Sequence, residues 1–218
     1  MNIILGIISI FVTFSAVVLI EKLFKRDGLF VWVAISSIIA NILVCKSVDI
    51  LGFTTSLGNV MFASNFLATD IMSEKYSFKD SKKAIILGVL SQIIFITMTM
   101  LAVLYIPSSV DLSHESMKTL FTINFRVTIA SITMFFASNM LDIYIFEKLK
   151  KKFPNKLWLR NNISTIISNC LENYFFTFFG FIGIYDIVTV LSIATVASVL
   201  EMIIAILDTP FIYISKKI

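Results

Sequence analysis

Apolar residues in this chain gather into long runs, separated by short polar stretches that carry most of the charge. A helix needs about 20 such residues to cross the hydrocarbon core of a bilayer. Seven stretches meet that length, at roughly 2–20, 29–48, 56–73, 84–106, 127–147, 163–183 and 185–213. The third is broken up by Ser, Asn, Thr and Asp. The last is long enough to tilt or to run out into the interface, and Pro210 sits where it would distort the helix end. The pattern predicts an all-α integral membrane protein, a polytopic bundle of seven transmembrane helices, with residues 1–218 forming a single transmembrane domain.

The basic residues test that count. Lys22, Lys25 and Arg26 follow the first span; Lys75, Lys79, Lys82 and Lys83 follow the third; Lys148, Lys150, Lys151, Lys152, Lys156 and Arg160 follow the fifth; Lys216 and Lys217 close the chain. With seven spans, these 15 of the 18 basic residues share one face. The positive-inside rule makes that face cytoplasmic, with the N-terminus outside and the C-terminus inside. Removing an interior span would place large basic loops on both faces. The first span has no basic segment before it and no small-residue cleavage site after it, so a retained helix is expected. Lys46 and Arg126 fall near the outer ends of spans two and five, where snorkelling to the interface would accommodate them.

Composition narrows the class further. Hydrophobic residues make up 58% of the 218 and charged residues 15%, which is more apolar surface than a soluble domain of this size can bury. Mean hydropathy is +0.93. The net charge of +4 belongs to loops beside a membrane rather than to a nucleic-acid surface, because the charges alternate with apolar spans. Cys45 and Cys170 lie in apolar segments and His114 in a polar loop, so neither a metal site nor a disulfide framework is expected. No HExxH, GxSxG or phosphate-binding loop is present, which argues against an enzyme and against a cofactor.

The informative residues are polar ones inside spans. An acid at the bilayer centre costs about 2.5–3.5 kcal/mol even on insertion scales, so such residues turn toward a bundle interior or a watery cavity. Residues three or four apart share a helix face. Two pentapeptides thirty residues apart, SNMLD at 138–142 and SNCLE at 168–172, each place an amide and an acid on one face: Asn139 with Asp142, and Asn169 with Glu172. Thr165 and Phe176 extend the second stripe, and Phe66, Asp70 and Glu74 form a third. Stripes on three helices imply that they meet around one cavity. Asn41, Asn65 and Gln92 taken singly fit interhelical packing as well as they fit a site. Glu74 and Glu201 lie near span ends, where an interfacial position is the expectation.

Three stretches together resemble the queuosine precursor transporter family, also called the vitamin uptake transporter family: ILGFTTSLGNVMFASNFLATDIMSEKY at 50–76, FRVTIASITMFFASNMLDIYIFEKLKK at 125–151 and LWLRNNISTIISNCLENYFFTFFGF at 157–181. The resemblance covers about 30–215, leaving 1–28 as an additional N-terminal helix and loop beside a family-like core at 29–215. It implies import of 7-deazaguanine bases (the cyano and aminomethyl forms, or queuine) across the bacterial cytoplasmic membrane, for salvage into tRNA. The family's motif positions correspond here to Asp70, Arg126, Asn139, Asp142, Asn169 and Glu172. Members often carry Gln at Asn139 and Asp at Glu172, swaps of one methylene that change reach but not hydrogen-bonding type. With Asn41, Phe66 and Phe176 these residues make up the expected substrate site. A flat base suits aromatic stacking, and its edge suits a carboxylate that accepts two N–H bonds. The closest alternative is the substrate-capture subunit of an energy-coupling-factor transporter, which works with ATPase and scaffold partners. The expected partners are the small base and the lipid bilayer, with a homodimer as the expected assembly.

Overall fold

A computed structural model describes residues 1–50, 53–121 and 125–218, and of residues 53, 54 and 125–127 the backbone alone. The described chain is almost wholly helical. Its elements are α1 (Asn2–Leu43), a hairpin of β1 (Ser47–Ile50) and β2 (Phe53–Ser56), α2 (Gly58–Lys75), α3 (Phe78–Leu104), the short α4 (His114–Phe121), α5 (Phe125–Lys152), α6 (Leu157–Phe181) and α7 (Ile187–Lys217). The all-α expectation is met, with this short hairpin as the exception among the described residues. The second expected span, drawn to residue 48, ends at Leu43, and Lys46 falls in the turn beyond it. Short α4 lies inside the stretch expected to be a loop.

Four helices combine enough length and apolarity to cross a membrane: α1, α3, α5 from Thr128, and α7. Helices α2 and α6 fall short on apolarity because Ser, Thr, Asn and acidic residues crowd them. Helix α2 is also where burial concentrates: twelve of its residues, from Gly58 to Ser73, are buried. A helix buried by its neighbours is shielded from lipid, so it carries polar groups at lower cost.

Helix α1 is interrupted at Lys25, the one described non-glycine residue with positive φ (54°, ψ −138°). The chain reverses there. A Cβ on Gly28 would lie 2.7 Å from the carbonyl oxygen of Ile20, eight residues earlier, a distance no straight helix allows. Beyond the far ends of the two halves, the Asn2 side-chain amide donates to the Asp49 carbonyl at 3.0 Å. So α1 is two antiparallel helices, matching the expected breaks after residue 20 and before residue 29. Glycine at 28 lets the halves approach to backbone contact. The first half packs Phe14 edge-on to Phe211 of α7, with ring centroids 5.4 Å apart.

Polar pairs between helices fix the register of the bundle. Trp32 donates to Ser64 at 3.1 Å and Ser36 to Asn65 at 2.6 Å, joining α1 to α2. Ser138 donates to Glu172 at 2.7 Å and Thr165 to Asp142 at 3.3 Å, joining α5 to α6. Asn161 reaches Asp208, and Asn173 reaches Glu201, each at 2.6 Å, joining α6 to α7. Gly88 lets α3 lie close to α5, for a Cβ there would meet the Phe135 ring at 3.1 Å.

The lysine-rich end is held by two charge clusters. Glu74 binds Arg160 and accepts from Lys216 at 2.7 Å, while Lys150 donates to the Glu74 carbonyl at 3.2 Å. One acid of α2 thereby gathers α5, α6 and α7. Arg160 was grouped with the basic loop residues; instead it stands in the first turn of α6, fully buried, its guanidinium also capping the Phe153 and Pro154 carbonyls. The planar guanidinium fork makes this burial possible, since it reaches several acceptors at once. Glu21 of α1 pairs with Lys75 at 2.8 Å and accepts from Tyr76 at 3.0 Å.

Two outcomes follow from these clusters. Arg160→Ala removes the buried partner of half-buried Glu74 but leaves it Lys216, so the loss should stay below the about 3–5 kcal/mol of a fully orphaned buried charge; thermal unfolding in detergent should show a fall in Tm, with Arg160→Lys intermediate. Burial, with the Glu21 carboxylate beside it, pushes the Tyr76 phenol up from 10.0 to about 12. A raised value favours the protonated form in the folded state. Its contribution is therefore present below pH 10 and lost as pH rises through about 12, and a tyrosinate absorbance titration of wild type against Tyr76→Phe should show that late component.

Candidate functional site

A cavity of about 270 Å³ opens at the end of the bundle opposite the lysines. Its wall comes from the C-terminal ends of α1, α3 and α6 and the N-terminal portions of α2, α5 and α7. Asn41 and Asn59, Glu172, Asn173 and Glu201 supply the polar groups, and Phe62, Phe176 and Phe181 the aromatic ones. Most of the remaining wall is apolar. That balance, a mostly apolar cleft with a few convergent polar groups, is what a small-molecule site presents.

The two acids of the cavity are each anchored through one oxygen. Oε2 of Glu172 accepts from Ser138, and Oε2 of Glu201 accepts from Asn173. Neither Oε1 has a protein donor among the described residues. The two carboxyl groups are near enough to act on one another electrostatically. Asn41 spends its amide N–H on the Ser37 carbonyl at 2.8 Å, which aims its side chain along α1. Phe176 packs edge-on to Phe181, centroids 6.1 Å apart, so the aromatic wall is braced.

A second polar cluster lies deeper, toward the lysine-rich end. Asp70, Asp142 and Asp208 are all fully buried there, from three different helices. Asp142 receives Thr165 and Asp208 receives Asn161, while neither oxygen of Asp70 has a donor among the described residues. None of the three acids lines the cavity.

The expected site residues are thus divided. Asn41, Glu172 and Phe176 stand on the cavity wall. Asp70 and Asp142 stand together in the deeper cluster, with Phe66 buried one turn away on α2. Asn139 and Asn169 are buried between the two, and Asn139 donates to the Phe135 carbonyl of its own helix at 2.9 Å. The side chain of Arg126 lies outside the described residues. The reason for the division is direction. Helices α5 and α6 are antiparallel, so the paired residues are Ser138 with Glu172 and Asp142 with Thr165. Two acids that occupy equivalent places in SNMLD and SNCLE therefore end at different depths, separated by roughly 6 Å along α5 and 10 Å along α6.

Glu201 and Asn173 were recognisable as polar residues within spans but were not expected in the site. Glu201 was placed at the interface; it is instead 7% exposed and on the cavity wall. Its distance from the Asn-x-x-acid motifs in sequence hid it. The available signal was the spacing of Glu201 and Asp208, seven residues apart and hence on one helical face.

Comparison with known proteins agrees with the resemblance in the motifs. Residues 56–215 match the family described as "Putative vitamin uptake transporter". A Bacillus subtilis (strain 168) protein named "Probable queuosine precursor transporter" is 35% identical over 207 residues, covering 94% of this chain and 90% of the relative. An Escherichia coli (strain K12) protein named "Queuosine precursor transporter" is 27% identical over 139 residues, covering 64% of this chain and 61% of the relative. No solved structure matches significantly. With the family match spanning all helices from α2 to α7, and the first relative nearly the whole length, the chain belongs to the vitamin uptake transporter family, whose curated relatives are queuosine precursor transporters, and it is a membrane transporter rather than an enzyme.

Proposed function

We propose that this protein imports a 7-deazaguanine precursor of queuosine across a bacterial cytoplasmic membrane, and that the base binds in the cavity walled by Glu172, Glu201 and Phe176. The observation that carries the reading is the cavity's pair of carboxyl groups, each holding one oxygen on a protein donor and keeping the other free. One carboxylate suits the guanine-like edge, accepting from the ring N–H and the 2-amino group together. The other suits the cationic arm of an aminomethyl base or queuine. Asn41 offers the amide that a ring carbonyl or nitrogen needs, and Phe62, Phe176 and Phe181 offer faces for stacking. At about 270 Å³ the cavity suits a single base rather than a nucleotide.

In this reading the seven long helices, counting α1 as two and leaving out the short α4, all cross the bilayer. The lysine-rich end faces the cytoplasm, as the positive-inside rule requires. The cavity then faces outward, and the Glu74–Arg160 cluster closes the path on the inner side. Import proceeds when that end parts and the cavity closes behind the base. The residues of the motif that stand below the cavity, Asn139, Asn169, Asp142 and Asp70, line the route the base would follow inward.

The test is rescue of queuosine in tRNA, with each precursor supplied separately to a host that lacks both its own synthesis and its own importer. Wild type should restore the modification with at least one precursor. Glu172→Gln and Glu201→Gln should each cut uptake tenfold or more, as loss of one charge-assisted bond of about 1.5–3 kcal/mol implies. Phe176→Ala should raise KM severalfold, from a stacking loss of about 0.5–1.5 kcal/mol. Membrane levels should stay unchanged for all three. Uptake by purified protein alone in liposomes separates a self-sufficient carrier from a capture subunit that needs an ATPase. Full activity of both glutamine variants would remove the cavity assignment.

A further inference from the structure

Below the cavity, the three buried aspartates form a group that base recognition does not use. Asp70 on α2, Asp142 on α5 and Asp208 on α7 are each 0% exposed. The carboxyl of Asp70 lies close enough to that of Asp142 for the two to share a hydrogen, and near enough to Asp208 to be acted on by its charge. Two ionised carboxylates cannot hydrogen-bond each other; the contact closes only when one oxygen carries a hydrogen. The neutral donors nearby are already placed: Thr165 on Asp142 and the Asn161 amide nitrogen on Asp208. Asp70 receives none of them.

The cations nearby are committed as well. Arg160 on α6 acts on Asp70 at a distance, but its guanidinium binds Glu74 and the Phe153 and Pro154 carbonyls, leaving only Nε without a partner. Lys150 on α5 and Lys216 on α7 serve Glu74, one turn further toward the lysine-rich end. On α1, Glu21 is held by Lys75 and Tyr76. Helix α3 presents the Ser81 hydroxyl, which bonds the Thr69 carbonyl and Ser73, rather than a charge. Among the described residues, three fully buried carboxyl groups thus share one interior without a cation of their own. The Asn161 side chain, fully buried and already bonded to Asp208, brings in an unpartnered Oδ1 as well. That acceptor suits a hydrogen on a neighbouring carboxyl. No group of three acidic, histidine or cysteine side chains among the described residues is arranged to hold a metal ion.

We infer that Asp70, Asp142, Asp208 and Asn161 form a proton-binding site, distinct from the base cavity, that couples inward movement of a proton to inward movement of the base. The inference rests on the transporter reading above. With the proton bound, the carboxyl pair joins α2 to α5 and the inner end stays closed. The proton leaves as hydronium to cytoplasmic water, breaking one carboxyl O–H bond and leaving a carboxylate. The resulting like charges push α2 away from α5 and α7. Because Asp70 and Glu74 are one helical turn apart on α2, that displacement pulls directly on the cluster around Glu74 and Arg160. The buried amides of Asn139 and Asn169, with oxygens that have no partner among the described residues, mark a polar route for the proton from the cavity.

The full chain is reconstituted in liposomes that hold a pH-sensitive dye, with the membrane potential clamped at zero. Each radiolabelled precursor is supplied outside in turn. Wild type should acidify the interior as base enters, and should accumulate base about tenfold per unit of inward pH gradient if one proton moves with each base. Asp142→Asn should lose both the acidification and the accumulation. In parallel, infrared spectra in the absence of base read the C=O stretch of protonated carboxyl groups. Subtracting Asp70→Asn or Asp142→Asn from wild type should leave such a band at neutral pH, and the band should fade as pH rises. Entry of base with no acidification and no response to the gradient overturns the coupling. A flat infrared difference overturns the proton site. No entry of any precursor overturns the substrate reading instead, and the infrared difference then decides the proton site independently.

Discussion

A carboxylate between membrane helices has no bulk water to solvate it, and every other arrangement in this bundle accommodates that cost. Depth grades the solutions. At the lysine-rich end, Glu21 and Glu74 meet cations from the ends of α2 and α7. Around the cavity, Glu172 and Glu201 meet neutral donors, a serine and an asparagine from neighbouring helices. Between these levels, Asp208 accepts from Asn161, Asp142 accepts from Thr165 at 3.3 Å, and Asp70 has no donor among the described residues. The unmet need is greatest midway between the cavity and the lysine-rich end, where the proposed proton site lies.

The same constraint explains the layering of the helices. The more apolar α1, α3 and α7 carry many of the exposed large side chains, while α2 is buried along nearly its full length. Small residues allow this. Gly28 lets the two halves of α1 touch, and Gly58 brings the start of α2 within 3.0 Å of the Ala40 carbonyl if a Cβ is imagined there. Close backbone approach is how membrane helices gain packing without a hydrophobic driving force between them.

Much of the fold was legible in the sequence because apolar runs and basic loops obey long-range rules that need no partner. The reversal near residue 25 appeared as three basic residues between two apolar runs, and the polar faces of α2, α5 and α6 appeared as spacings of three and four. The hairpin at 47–56 was missed because it falls mostly in the short gap at 49–55 between two expected spans, where a strand of four residues is too short to show its period. Arg160 was misplaced because a charge near a basic loop looks solvated until its acceptors are known.

The sequence by itself determined the class of protein, the family, most of the helices and which faces carry the polar groups, since each follows from composition, periodicity or motif along one chain. Tertiary structure decided which polar groups meet. Antiparallel packing of α5 against α6 sent Asp142 and Glu172 to different depths, though their local motifs are nearly the same. It also brought Glu201 beside Glu172 and Asp208 beside Asn161, across nearly thirty residues or more of intervening chain. Periodicity reports direction around a helix axis and nothing about height along a neighbour. That height is set by packing between helices, and it separates the wall of a cavity from a buried cluster of acids.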